Sequence, residues 1–336
     1  MRAVFRSAGE QIELSCRQRF LSGVLEEGVG GHSTQADASR PDIRVTVEDS
    51  VAAFDTRGWE ILTRDAWRRP GQVVVRDACS SGLDLLITTR QPSLEILARW
   101  RPPPAGRAAS VVLRSRARLL IRAVLLQYPA LWWGQQRGRA PLHASVCSVG
   151  ADHGRSVLIA GPGGVGKSTM VNAELERGAV ATSDNLCLSD GRTAWGLLEP
   201  RRVPAGEGGN KHGRRMPHDR REAPWQGRVD QLVPGMVLVL QRGTAKITRS
   251  AACDPDQAAR SLVAGTYMAG ELRRYWAFAS TLALGTGVGE IHPRVDEVAH
   301  TLTARLPCHE VTLGERPAPP LGGLFAPTFA DDGAGT

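Results

Sequence analysis

Residues 158–171 read LIAGPGGVGKSTMV. An apolar run stops at a cluster of glycine and proline, and that cluster stops at Lys-Ser-Thr. Glycine and proline end a strand, and no strong helix former stands between Ala160 and Lys167, so the segment must pass as a loop from strand to helix. Gly161, Gly166, Lys167 and Ser168 fit G-x-x-x-x-G-K-[ST] without exception. Each residue type has a physical reason. Glycine at 161, 163, 164 and 166 lets the backbone take dihedrals that turn several N–H groups toward one point. Val165 adds another N–H, and the helix that follows offers its positive N-terminal end through Thr169. Lys167 is long enough for β and γ phosphates, and the Ser168 hydroxyl suits magnesium. ATP and Mg²⁺ are the ligands this loop predicts.

The flanks agree. The spacing predicts a strand over 157–160, a helix over 170–177 ended by Gly178, and a further strand in AVATSD, residues 179–184. Strand, loop, helix and strand open a parallel α/β sheet. The second strand is expected beside the loop strand. It ends at Asp184, 16 positions after Ser168, where a carboxylate would face the metal or the attacking nucleophile. The later apolar strand, VLVLQ at 237–241, ends in Gln241 and Arg242 and offers no acid. His143, in PLHASV, is the other candidate. A single histidine among apolar residues is more often a hydrogen-bonded core residue than a catalyst, so spacing alone favours the core reading.

The rest of the chain bounds the function. A +8 charge on 336 residues suggests nucleic acid, but only Lys167, Lys211 and Lys246 are lysines. Arginine bias in the coding background explains that skew better than a polyanion groove does, so no nucleic-acid partner is expected. No apolar run approaches the roughly 20 residues of a membrane span. The N-terminus has no signal-length apolar block, which points to the cytoplasm. Six scattered cysteines form no C-x-x-C pair, so free thiols are expected rather than zinc. Residues 1–108 read as a smaller β-rich domain, with strands at 43–47, 72–75 and 83–88. Pro102, Pro103 and Pro104 mark its end. An α/β phosphate-binding domain then spans 109–318. It opens with a core helix over 109–131, has helical pattern over 254–284 behind the N-cap Asp254 and Pro255, and carries a late strand at 311–313. The basic stretch 201–228 reads as an exposed loop, and Lys211, His212, Arg214 and Arg215 could bring cations to phosphates or to an acceptor. The Pro- and Gly-rich tail 319–336 reads as loose.

The order LHASV, VLIAGPGGVGKST, ERGA and SDN resembles the HPr kinase/phosphorylase superfamily. More closely it resembles the HPr-kinase-related proteins found beside peptide natural-product gene clusters. The resemblance spans about residues 140–315. It implies the fold shared with phosphoenolpyruvate carboxykinase, and an ATP- and magnesium-dependent kinase. It places His143 at the family's histidine before the loop strand and Asp184 at the first of two acids, the one that activates the acceptor hydroxyl and contacts the metal. Asn185 stands where the second acid would be. An amide can ligate a metal or contact the acceptor but cannot take a proton. HPr itself is not expected as substrate. A serine of a ribosomal natural-product peptide or a small hydroxylated metabolite fits the resemblance, which also admits a homo-oligomer. A shikimate-kinase-type metabolite kinase and a nucleotide-binding switch or scaffold are the alternatives.

The loop motif predicts magnesium-dependent binding of ATP or ADP that Lys167→Ala weakens. Titration calorimetry measures it directly, and a wild-type protein without magnesium-dependent nucleotide binding would contradict the motif reading.

Overall fold

The computed structural model describes the chain except residues 33–39, 152, 205–214, 217–219, 317 and 325–336. Helices and mixed sheets make it an α/β protein, and it divides into two compact units. Among the described residues no helix is long and apolar enough to cross a membrane.

The first unit comprises Met1–Gly138, Leu197–Pro200 and Glu271–Pro293. Its eight-stranded sheet contains the three strands read from sequence, as Ile43–Glu48, Gln72–Val75 and Leu83–Arg90. Ile43–Glu48 alternates buried Ile43, Val45 and Val47 with more exposed neighbours, as one buried sheet face requires. The expected single helix over 109–131 is instead broken. It runs as Pro104–Val112, Arg114–Arg122, a π turn at Ala123–Gln127, and Tyr128–Trp133. Leu113, at φ −104° and ψ 47°, leaves helical geometry at the first break. Pro129 lacks the N–H that would close an α turn back to Leu125, and the wider π turn stands just before it. These helices belong to the first unit, so the division falls after Gly138 rather than after residue 108. Helix Tyr275–Thr286, within the expected helical stretch 254–284, also belongs there.

The second unit comprises Arg139–Gly196, Arg201–Gly270 and Arg294–Thr336 and contains the phosphate-loop motif. Its main sheet has the order Ala181–Ser183, Ala144–Ser148, Ser156–Ala160, Met236–Arg242, Cys308–Leu313, Arg249–Ala252. Ser156–Ala160 is buried at every position and pairs parallel with Met236–Arg242, as expected of a central strand covered on both faces. The strand leading to Asp184 does not lie beside it, contrary to the sequence expectation. Ala144–Ser148 pairs antiparallel with Ser156–Ala160 and occupies that place. The sheet is therefore mixed rather than parallel. Helix Lys167–Leu175 covers it, with Val165, Met170 and Val171 in a core shared with Ile159, Leu238, Leu240 and Val311. Helix Pro255–Tyr267 starts as read, with Asp254 accepting from the Gln257 amide at 3.0 Å and Pro255 in its first turn. A second sheet has the order Gln231–Leu232, Ala194–Gly196, Cys187–Ser189, Ala140–Leu142.

The basic stretch is not simply a loop. Arg201–Pro204, Arg220–Ala223 and Arg215–Met216 form a third, antiparallel sheet, and Trp225 closes the stretch inside the hydrophobic core. At the chain's end, residues 321–324 form a helical turn whose Leu321 is buried and donates its amide to Glu174 at 2.9 Å, so the expected loose tail begins as structure.

All six cysteines are free, and Cys147 and Cys187 are wholly buried. Burial pushes the Cys187 thiol up to about 12 and raises that of Cys147 too, with Glu174 adding to the latter. A thiol pKa raised by folding stabilises the protein below the ordinary thiol value near 8.5, and that contribution is lost as pH climbs toward about 12. At pH 8 neither thiol should react with iodoacetamide until the protein unfolds. Mass spectrometry of native labelling reads this, and modification of Cys147 or Cys187 at the rate of a free thiol would refute it.

Candidate active site around the phosphate loop

The loop takes the conformations its glycines were expected to allow. Gly161, Gly164 and Gly166 have φ of 146°, 78° and 130°. At Gly161 there is a second reason for glycine. A Cβ there would lie 2.7 Å from the Leu240 carbonyl oxygen and 3.1 Å from Val165 Cγ1. The start of the loop is thus pressed against the end of the neighbouring strand. Val165, 5% exposed, buries its side chain in the core, so of this residue only the backbone faces the cradle. That burial contributes about 1.5–3 kcal/mol to holding the loop's shape. Gly163, Gly164 and Thr169 are exposed. Lys167 is buried, and its Nζ donates to Gly161 O at 2.8 Å and Pro162 O at 3.2 Å, closing the loop on itself.

The partners of the loop come from two places where the chain changes sheet. His143 separates Ala140–Leu142 of the second sheet from Ala144–Ser148 of the main sheet. Asp184 and Asn185 lie between Ala181–Ser183 of the main sheet and Cys187–Ser189 of the second. The two crossings run side by side, because Val146 pairs with Ser183 and Leu142 with Cys187. His143, Asp184 and Asn185 are therefore neighbours although each strand is short. At a crossing the backbone leaves its ladder, and side chains supply the missing partners. Thr266 Oγ1 accepts from the His143 amide at 3.0 Å and donates to Leu262 O at 2.7 Å. Ser168 Oγ donates to the Asp184 carbonyl at 3.3 Å, which brings the loop hydroxyl against the crossing.

The side chains interlock. His143 Nδ1 lies 3.2 Å from Gly265 O, and Nε2 lies 3.0 Å from Asn185 Oδ1. The Asp184 side chain is fully buried, and its Oδ2 accepts from the Arg202 amide at 3.0 Å. The carbonyl of that same residue accepts from Asn172 Nδ2 at 2.9 Å. Arg202 is the second residue of the basic sheet's first strand, so this sheet is fastened by its backbone to the aspartate and to the loop helix together. Asn172, Thr266 and Gly265 were not read from the sequence. Asn172 is a polar residue on the covered side of the loop helix, and that mismatch was its only signal.

The structure thus assembles Gly161–Lys167 backbone, Lys167, Ser168, Asp184, Asn185 and His143 in one place. Lys211, His212 and Arg214 lie outside the described residues, and Arg215 is placed only as backbone in its short strand. Among the described residues no group of three or more His, Cys, Asp or Glu could hold a metal ion by itself. The oxygen donors present, a hydroxyl, a carboxylate and an amide, fit magnesium, which takes one or two carboxylates and completes its octahedron with phosphate oxygens and water. Comparison with protein-family models gives no match, and none of the curated proteins matches the chain.

Gly161 and Gly163 should respond oppositely to alanine. A Cβ at Gly161 meets backbone at a φ that L-residues avoid, whereas at Gly163 nothing lies within 4 Å. Gly161→Ala is expected to cost about 2–4 kcal/mol, combining overpacking with backbone strain. Gly163→Ala should stay within about 0.5 kcal/mol of wild type. Urea unfolding compares them, and equal stability of the two variants would contradict the packing described.

Proposed function

We propose that this chain is an ATP- and magnesium-dependent P-loop kinase that transfers the γ-phosphate to a hydroxyl. The acceptor would be a serine of a peptide or a small hydroxylated metabolite. The observation carrying this reading is the 3.3 Å hydrogen bond from the Ser168 hydroxyl to the main-chain carbonyl of Asp184, which ties the glycine loop to the residue that bears a buried carboxylate. The fold shared with HPr kinase and phosphoenolpyruvate carboxykinase, inferred from the sequence resemblance, is part of the same proposal.

In this reading the backbone N–H groups of residues 163–169 hold the phosphates. Lys167 would turn its ammonium from the Gly161 and Pro162 carbonyls to phosphate oxygens. Ser168 and Asp184 would hold magnesium, which supplies charge neutralisation at the phosphates. Asp184 would take the proton from the acceptor hydroxyl as its oxygen bonds to the γ-phosphorus and the bond to ADP breaks. The Arg202 amide keeps the carboxylate in a single orientation for that step. His143, with both ring nitrogens engaged by Gly265 and Asn185, positions its neighbours rather than serving as base. Positioning and charge stabilisation supply most of the rate in such transfers.

Asp184→Asn keeps shape and a metal-capable oxygen but loses charge and basicity. It should lower phosphoryl transfer by about 10²–10⁴-fold, the range of a general base, with a much smaller loss of ATP binding. His143→Ala should lose less. Single-turnover transfer from labelled ATP measures both, and ATPase turnover serves until an acceptor is found. A wild-type rate in Asp184→Asn with an inactive His143→Ala would move the base to His143. Nucleotide binding with no transfer to any acceptor would favour a switch.

A further inference from the structure

The His143 ring poses a question of hydrogen-bond sign. Its Nδ1 faces the Gly265 carbonyl oxygen at 3.2 Å, and a carbonyl can only accept, so Nδ1 carries a hydrogen. Its Nε2 faces the Asn185 amide at 3.0 Å through Oδ1, a second acceptor. Two acceptors on one ring demand an imidazolium, yet His143 is only 2% exposed, where a charge is costly to desolvate. The same placement leaves Asn185 Nδ2 buried with no hydrogen-bond partner among the described residues, in a residue only 5% exposed. A half-turn of the amide, whose two ends have the same shape, removes both conflicts. Nδ2 then donates to the lone pair of a neutral Nε2, and Oδ1 takes the end that has no partner among the described residues.

That oxygen belongs to the residue directly after Asp184, whose carbonyl receives the Ser168 hydroxyl. We propose that Asn185, aimed by His143, is an oxygen ligand of the divalent cation beside Ser168 and Asp184. This rests on the kinase reading of the site. Hydroxyl, carboxylate and amide oxygen form a hard donor set for magnesium, with one negative charge from the protein. His143 is then a positioning residue, the outer partner that fixes which end of the amide meets the cation.

The chain has only three asparagines, Asn172, Asn185 and Asn210, which makes a direct test practical. Protein labelled with ¹³C at the asparagine side-chain carbonyl is loaded with Mn²⁺ and a non-hydrolysable ATP analogue. Electron–nuclear double resonance should show a ¹³C coupling of a directly ligated carbonyl, and Asn185→Ser should abolish it. Mn²⁺ affinity in the same complex should fall at least about tenfold in Asn185→Leu and by about tenfold in His143→Ala, the range for loss of an outer partner. Nitrogen NMR of the labelled wild type, assigned with His143→Gln, should show Nδ1 protonated and Nε2 bare at neutral pH. A Mn²⁺–nucleotide complex without asparagine coupling, or a His143 imidazolium, would overturn the assignment and leave the kinase reading intact. Absence of any Mn²⁺–nucleotide complex in the wild type would overturn both.

Discussion

A backbone that passes from one sheet to another gives up its ladder partners at the point of crossing, and a buried N–H or C=O cannot go unpaired without a cost of about 1–3 kcal/mol. The second unit makes this passage twice, side by side, at His143 and at Asp184–Asn185. Side chains answer for the backbone there: Thr266 receives the His143 amide and Ser168 holds the Asp184 carbonyl. The crossings must therefore be polar, and the polar groups must come from the loop helix and from helix Pro255–Tyr267. The same demand that keeps the fold intact brings a hydroxyl, a carboxylate, an amide and an imidazole together at the phosphate loop.

Seen from the loop, the arrangement is equally forced. Val165 anchors it in the core, Gly161 lets it press on the Leu240 carbonyl, and the Lys167 ammonium ties its end to its beginning. A rigid cradle suits chemistry that depends on positioning more than on covalent steps. The basic sheet that begins at Arg201 is attached to this cradle through the backbone of Arg202, which bonds Asp184 on one side and Asn172 on the other. Any displacement of that strand would be felt at the carboxylate.

Much of this was legible in the sequence, for identifiable reasons. The loop and its helix follow from local chemistry, since glycine, proline and the Lys-Ser-Thr triplet leave few conformations open. The strands at 43–48, 72–75 and 83–90 and the Asp254 cap rest on equally local signals. What needed the structure was long-range. The antiparallel strand Ala144–Ser148 takes the place next to the loop strand, which no spacing rule fixes. The three-residue strands at 140–142, 181–183 and 187–189 carry no periodicity, so the paired crossings could not be read. The break of the 109–131 helix at Leu113 has no marker in the apolar stripe, and the π turn follows from Pro129, whose missing N–H that stripe conceals. The sheet within 201–228 has almost no aliphatic residues, and only Trp225 hinted at a buried end.

The central claim is that the phosphates of a nucleotide sit on the backbone of residues 161–169 and that Asp184 shares their site. Amide hydrogen exchange of the wild-type protein with and without magnesium and an ATP analogue tests it most directly. The account predicts slowed exchange at 163–169 and at 183–186, with little change in the eight sheet strands of the first unit, from Arg2–Ser7 to Ser93–Trp100. Binding of the nucleotide with exchange unchanged in the loop, and slowed elsewhere, would contradict it.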